Sequence, residues 1–222
     1  MYVEFDLPEI SDHVSGFPEY WLKTLFIQPP SSRYQINALA STFVRLVEAA
    51  LVEYRYGAEK LKEFWGTHSS LNLGAMHRSI SHFETCISNM HRATNCFRRL
   101  RRDRGQDPLS TELNTEKVKF ASNAVADRFR LFRNEVHHLE DLVMDGRIGV
   151  GQSFALKPDG PETPHPTEPH QTVKTIDRLI IGTREIKFSE LVVWLSEMAT
   201  VVVRIADFLP NSKSNVHGNG NS

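Results

Sequence analysis

Two hundred and twenty-two residues make one domain, or one domain with an appendage, long enough to bury a core without disulfide staples. Forty per cent apolar and 24% charged residues exclude a wholly disordered or fibrous chain. Twenty-six basic against 27 acidic side chains leave a net charge of −1, which excludes an overall basic nucleic-acid binder but not a local basic patch. No apolar run approaches the roughly 20 residues that span a bilayer, and the acidic start MYVEFDLPEI lacks the charged-then-apolar pattern of a leader. The expectation is a cytoplasmic protein with no membrane partner.

Residues 1–34 carry the aromatic anchors Phe17, Tyr20, Trp21 and Phe26 without a long period, and are expected to form loop plus short helix packed on the main domain. Pro29-Pro30 breaks this segment, and Ser31 or Ser32 can cap the next helix. Over 35–65, Ile36, Leu39, Ala40, Phe43, Val47, Ala50, Leu51 and Tyr54 keep helical spacing. A second helix is predicted over about 71–102, on Leu73, Met76, Ile80, Phe83, Ile87, Met90 and Phe97, ending at the Gly-Gln-Asp-Pro break. A third is predicted over about 115–144, with Val118, Ala121, Val125, Phe132, Val136, Leu139 and Val143 as its stripe. Cys86 and Cys96 lie ten residues apart in the second helix, about 15 Å along its axis, too far to pair within it.

The composition then changes. Residues 145–172 hold Gly146, Gly149, Gly151 and five prolines between 158 and 169, and read as a long exposed loop that cannot be helix or central strand. Segments 173–181 and 184–188 flank Gly182-Thr183 and predict a β-hairpin. Ser189 is the expected N-cap of a last helix bearing Leu191, Leu195, Met198, Val202 and Ile205 on one face. The polar tail 209–222 is expected to be disordered. Long helices with one apolar stripe must bury it on each other. The predicted fold is therefore all-α: a four-helix antiparallel bundle over 35–208, with a small hairpin (173–188) before the last helix.

The stretch from Arg128 to His138 stands out chemically. Asn134 and His138, four apart, share a helix face that points roughly 160° from Val136 in the core stripe, with Arg133 on the flank. Outward-facing Leu131 and Leu142 offer a face for a second subunit. A neutral histidine can take a proton from a 2′-hydroxyl or return one to a leaving oxygen. An arginine can hold a phosphate and the charge that grows on it, and an amide can orient either group. These are the parts of a metal-independent ribonuclease.

At these residues the chain resembles the HEPN superfamily, whose signature is an arginine, a polar residue and then a histidine inside a long helix of a four-helix bundle. Here those are Arg133, Asn134 and His138, with Arg-x4-His spacing. The resemblance implies an RNA-cleaving homodimer of toxin–antitoxin or defence type, with Arg133 and His138 catalytic, Asn134 supportive, and an antitoxin or regulatory protein as a further partner. It calls for no metal or cofactor. The tyrosine that comes two residues after the histidine in one toxin branch is Glu140 here.

Six arginines fall within residues 92–104. Arg98, Arg99, Arg101 and Arg102, with Arg130, are the candidate RNA-backbone contacts, although cations at a helix C-terminus are also favoured by the helix dipole alone. If the second and third helices are antiparallel, this cluster lies near the start of the third helix rather than beside His138. The ten histidines include no pair at the i, i+4 spacing of a helical zinc site. Phe129, Phe132 and Trp194 read as core. The competing reading is a non-catalytic helical module that binds a nucleotide or a protein, with Arg133 and His138 on a solvated face or at an interface.

Overall fold

The computed structural model describes residues 1–10, 16–65, 72–103, 107–146 and 156–208. The protein is mostly helical, with two small three-stranded sheets. Its central pair is α2 (Tyr34–Trp65) and α3 (Leu73–Leu100), within two residues of the predicted bounds. They run antiparallel: Phe43 meets Phe97 near one end, and Glu53 meets His82 towards the other. Their axes are close at Gly57, where a Cβ would stand 2.9 Å from the Phe83 ring. There the Ser79 hydroxyl donates to the Gly57 carbonyl at 2.8 Å, so glycine admits the contact and a buried polar group is satisfied by it.

By length and composition α2 is the one helix among the described residues that is apolar enough to cross a membrane, which amends the expectation that no such run exists. Phe43, Val44, Leu46 and Val47 are fully buried in the core of this fold, so much of that apolarity is spent on packing. Its other face carries the exposed Arg45 and the part-buried Glu48.

The predicted helix over 115–144 is corrected. Asp107 caps a short helix α4 (Pro108–Asn114), its carboxylate accepting from the backbone of Leu109 and Ser110. The chain then runs without helix to Ser122. Two forces stop a helix there. Phe120 is driven into the core between Phe43 and Phe97, and Glu197 captures the backbone N–H groups of Lys119 and Phe120 at 2.9 and 3.0 Å. Ser122 caps α5 (Asn123–His137) through Val125 N–H. A second break comes at His138, whose φ of −113° and ψ of 40° are not helical. Val136-His137-His138 is weak in helix propensity, and Glu140 and Asp141 then open α6 (Leu139–Met144) with acids in its first turn, where the helix dipole favours them.

α7 (Phe188–Asp207) closes the core. Its N-cap is Lys187 rather than Ser189, and the Glu190 carboxylate accepts from the Lys187 N–H at 3.2 Å. Against the C-terminal half of α7 lies α1 (Gly16–Phe26), the short helix expected in the N-terminal segment: Lys23 Nζ donates to Ala206 O at 2.9 Å.

The single expected hairpin is also corrected. It is present as β5 (Arg178–Ile181) and β6 (Arg184–Lys187), with Gly182 in the turn at φ +55°. However, β5 pairs as well with β2 (Leu156–Asp159), and the segment 173–181 divides at Asp177. Its first part, β4 (Thr172–Ile176), pairs parallel with β1 (Tyr2–Phe5) and antiparallel with β3 (Glu162–Pro164). Thus the predicted loop 145–172 contributes two strands. Both lie at sheet edges, where Pro158 and Pro164 remove no ladder bond that the sheet needs. Asp159 links the sheets, paired to Lys157 at 2.7 Å and to Lys174 of β4 at 2.6 Å. The expected disordered tail, 209–222, lies outside the described residues.

Candidate functional site

The position of α5 is set from two sides. Arg128 donates to both carboxylate oxygens of Glu190 on α7 and lies over the Trp194 ring. Phe129 and Phe132 are fully buried, Phe129 edge-on against Trp194, so all three aromatics are core, as expected. Further along, Glu135 accepts from Arg184 of the hairpin at 2.7 Å. These contacts fix the inward face of α5 and leave Arg133, Asn134, His137 and His138 towards solvent.

Arg133 Nη1 donates to Asn134 Oδ1 at 3.4 Å, a long bond. The backbone N–H of His138 donates to Asn134 O at 2.9 Å, the closing bond of α5. The His138 side chain is 66% exposed, with Nδ1 3.7 Å from Asp141 Oδ2. Arg133 and Asn134 are each partly buried. Asp127, one acid within reach of this helix face, is engaged with Arg130, and among the described residues Arg133 has no carboxylate partner. Of the two outward leucines, Leu131 is half-buried; the side chain of Leu142 lies outside the described residues.

A further group comes from α3. The half-buried His91 is held below the ordinary histidine range first by burial, then by the nearby positive charges of Arg133 and Arg130. Its Nε2 lies 3.2 Å from the Asn95 amide nitrogen, which serves as donor if that ring nitrogen is unprotonated. The sequence alone does not single out His91, because no periodicity relates it to a motif on a different helix. The only available signal is its position two turns before Arg98 on α3.

α3 and α5 are antiparallel. Arg98, near the end of α3, donates to Asn123 Oδ1 at the start of α5 at 2.6 Å, whereas His91, two turns earlier on α3, feels the charges of Arg133 and Arg130 further along α5. The predicted arginine cluster therefore lies at the start of α5, roughly 10 Å along α3 from His91. Arg101 donates to Asn114 O at 3.2 Å and covers the Phe97 ring. Arg99 and Arg102 are exposed. The cluster borders on Arg130, itself exposed, so basic side chains run from the end of α3 towards Arg133.

Among the described residues no group of three or more histidine, cysteine, aspartate and glutamate side chains is placed to hold a metal ion. Cys86 is buried, and Cys96 is a free, partly buried thiol. No family model matches the chain, and neither the curated proteins nor the solved structures contain a match.

Proposed function

We propose that the protein is a metal-independent endoribonuclease of HEPN type, acting in the cytoplasm. The observation that carries this reading is Arg133: a partly buried cation with no carboxylate partner among the described residues, five positions before an exposed histidine at a helix break and close enough to the half-buried His91 of α3 to depress its pKa. A guanidinium without a carboxylate partner among the described residues is suited to an external anion, and a phosphodiester fits its planar fork. His138 is the general acid or base, reaching solvent-borne substrate where α5 ends. Asn134 orients Arg133. His91, favoured as the neutral imidazole near pH 7, is available as the second proton-transfer group.

In this reading the RNA 2′-hydroxyl attacks the adjacent phosphorus and loses its proton to one imidazole. The P–O5′ bond breaks, and the departing 5′-oxygen takes a proton from the other. A 2′,3′-cyclic phosphate and a 5′-hydroxyl remain, so DNA, lacking the nucleophile, is not a substrate. Arg133 stabilises the additional negative charge on the phosphoryl oxygens. The arginines at the end of α3 track the backbone. The finer bundle architecture, a homodimer and an antitoxin or regulatory partner belong to the same proposal through the resemblance at Arg133, Asn134 and His138.

The test is cleavage of RNA by wild type, His138→Ala and Arg133→Ala in excess chelator, with product ends identified. Wild-type cleavage to cyclic phosphate ends, lost by about 100-fold or more in either variant at unchanged melting temperature, is expected. Equal cleavage by wild type and His138→Ala would overturn the role of His138. Cleavage abolished by chelator would overturn the metal-independent chemistry.

A further inference from the structure

The basic surface at the end of α3 does not stop at the side that meets α5. Arg92 and Arg99, seven positions apart on α3, share one exposed face. Arg45 is exposed on the neighbouring α2, two positions beyond Phe43, whose ring meets Phe97 of α3. Cys96, one turn from Arg92 and from Arg99, is a partly buried thiol. Burial raises its pKa, while the charges of Arg99, Arg92 and Arg45 pull the other way, so three guanidiniums from two helices surround one point. None of the three has a carboxylate partner among the described residues. Of the bordering acids, Glu48 is partly buried on α2, Asp103 is paired with Arg33, and Asp127 with Arg130.

α3 packs against α2 on one side and α5 on the other. On the α5 side, Arg98 is joined to Asn123, and the charges of Arg130 and Arg133 reach back to α3 at His91. Basic side chains therefore cross three adjacent helices: Arg133 and Arg130 on α5, then Arg98, Arg99 and Arg92 on α3, then Arg45 on α2. With neighbouring axes 8–10 Å apart, the crossing is about 16–20 Å wide. Its α2 end is not explained by the helix dipole, because Arg45 lies in the interior of a long helix rather than in its last turn.

We propose that this belt is the path of a single-stranded RNA laid across α5, α3 and α2, with Arg92 and Arg45 holding phosphates remote from the one at Arg133. The identity of the polyanion rests on the ribonuclease reading of the Arg133 site; the path rests on where the arginines stand. A guanidinium with no carboxylate of its own is free to fork onto phosphate oxygens. The α2 end also offers a base something to stack on. Tyr34, 81% exposed at the start of α2, lies on the Arg45 face, eleven positions or three turns earlier. A charged track with an exposed aromatic is the combination that holds single strands with little regard to sequence. Readers of duplex RNA span roughly 16 base pairs and two successive grooves, well beyond this width.

The experiment measures binding of a fluorescent, uncleavable 2′-O-methyl RNA of about ten nucleotides to the full chain at several salt concentrations. Cleavage of the matching unmodified RNA and thermal melts are followed alongside. Arg45→Ala and Arg92→Ala should melt as wild type does, weaken binding about 5-fold each, and lower the salt slope by about 0.7–1 each. Arg45→Lys should keep the wild-type slope, and Tyr34→Ala should weaken binding with the slope unchanged. An RNA of about three nucleotides, too short to reach Arg45 from Arg133, should bind Arg45→Ala as well as it binds wild type. Wild-type slopes in both Arg45→Ala and Arg92→Ala overturn the path, even where RNA is cut and the Arg133 site stands. The expected slopes with no cleavage by wild type uphold the path and overturn the ribonuclease. A wild type that binds polyglutamate but no RNA assigns the belt to an acidic protein surface and overturns the path.

Discussion

Arg128 on α5 donates to both carboxylate oxygens of Glu190 on α7, at 2.7 and 2.9 Å, and its second nitrogen also reaches Glu185 O at 3.2 Å. One guanidinium therefore joins the helix that bears Arg133 to the start of α7 and to the hairpin. The Arg128 side chain is 39% exposed and Glu190 37%, so solvent weakens the attraction, and the value of the pair lies as much in direction as in energy. Arg128→Lys keeps the charge but loses the fork and much of the stacking on Trp194. It should lower stability by only about 1 kcal/mol while loosening α5. Amide hydrogen exchange over α5, faster in the variant with little change in the global melt, is the readout. Exchange unchanged along α5 would mean that Phe129 and Phe132 alone hold the helix.

His91 should titrate below the ordinary histidine value, and Arg133→Ala should move it back part of the way, because burial, the larger cause, remains. The sign comes from linkage: between the lowered folded pKa and about 6.5 in the unfolded chain, the unfolded state binds the extra proton. Stability contributed at this residue therefore rises with pH through that window and is level below the folded pKa, where both states are protonated, and above the unfolded one. Histidine ring-proton shifts tracked by NMR from pH 4 to 8 test this directly. An unmoved His91 midpoint in Arg133→Ala would separate the two residues electrostatically and remove His91 from the site.

The arginines at the end of α3 should not respond alike. Arg99 and Arg102 are exposed, and substitution by alanine should weaken RNA binding evenly across sequences and lower the salt slope by about 1 each. Arg101 covers Phe97 and holds Asn114 O, so Arg101→Ala should also lower the melting temperature. Binding titrations at several salt concentrations, with melts alongside, distinguish the two. Unchanged salt slopes in Arg99→Ala and Arg102→Ala would leave the helix dipole as the whole reason for the cluster.

Asp159 governs acid stability between the sheets. Burial opposes its ionisation, but Lys157, Lys174 and the Gly160 N–H outweigh it and hold its pKa down to about 2. A depressed carboxylate contributes stability that is complete above its unfolded value, about 3.9, and is lost as pH falls towards 2. The contribution is about 1–2 kcal/mol. Asp159→Asn should be less stable than wild type at pH 6 and converge with it near pH 2 in thermal melts. Parallel curves across that range would contradict the assignment.

What could be read from the chain alone was local and periodic. The stripes of α2, α3 and α7 are long enough that burial of one face dictates helix whatever lies opposite. Gly182-Thr183 also carries its own turn chemistry. The helix expected over 115–144 had a stripe of the same quality, yet it is divided because Phe120 finds two rings in the core and Glu197 satisfies the backbone that a helix would have used. Those partners are separated from it by as much as 77 residues, and no periodicity encodes them. The edge strands β2 and β3 are three or four residues long and contain proline, so their pairing depends on neighbours rather than on pattern. The site divides in the same way. Arg133, Asn134 and His138 are legible as a spacing within one segment, whereas the electrostatic influence of Arg133 on His91 exists only because α3 and α5 pack antiparallel. Sequence by itself determined α2, α3 and α7 and which residues lie together along them; tertiary packing decided that the stretch expected as one helix over 115–144 divides, where α5 begins and ends, and which groups on other elements share its field.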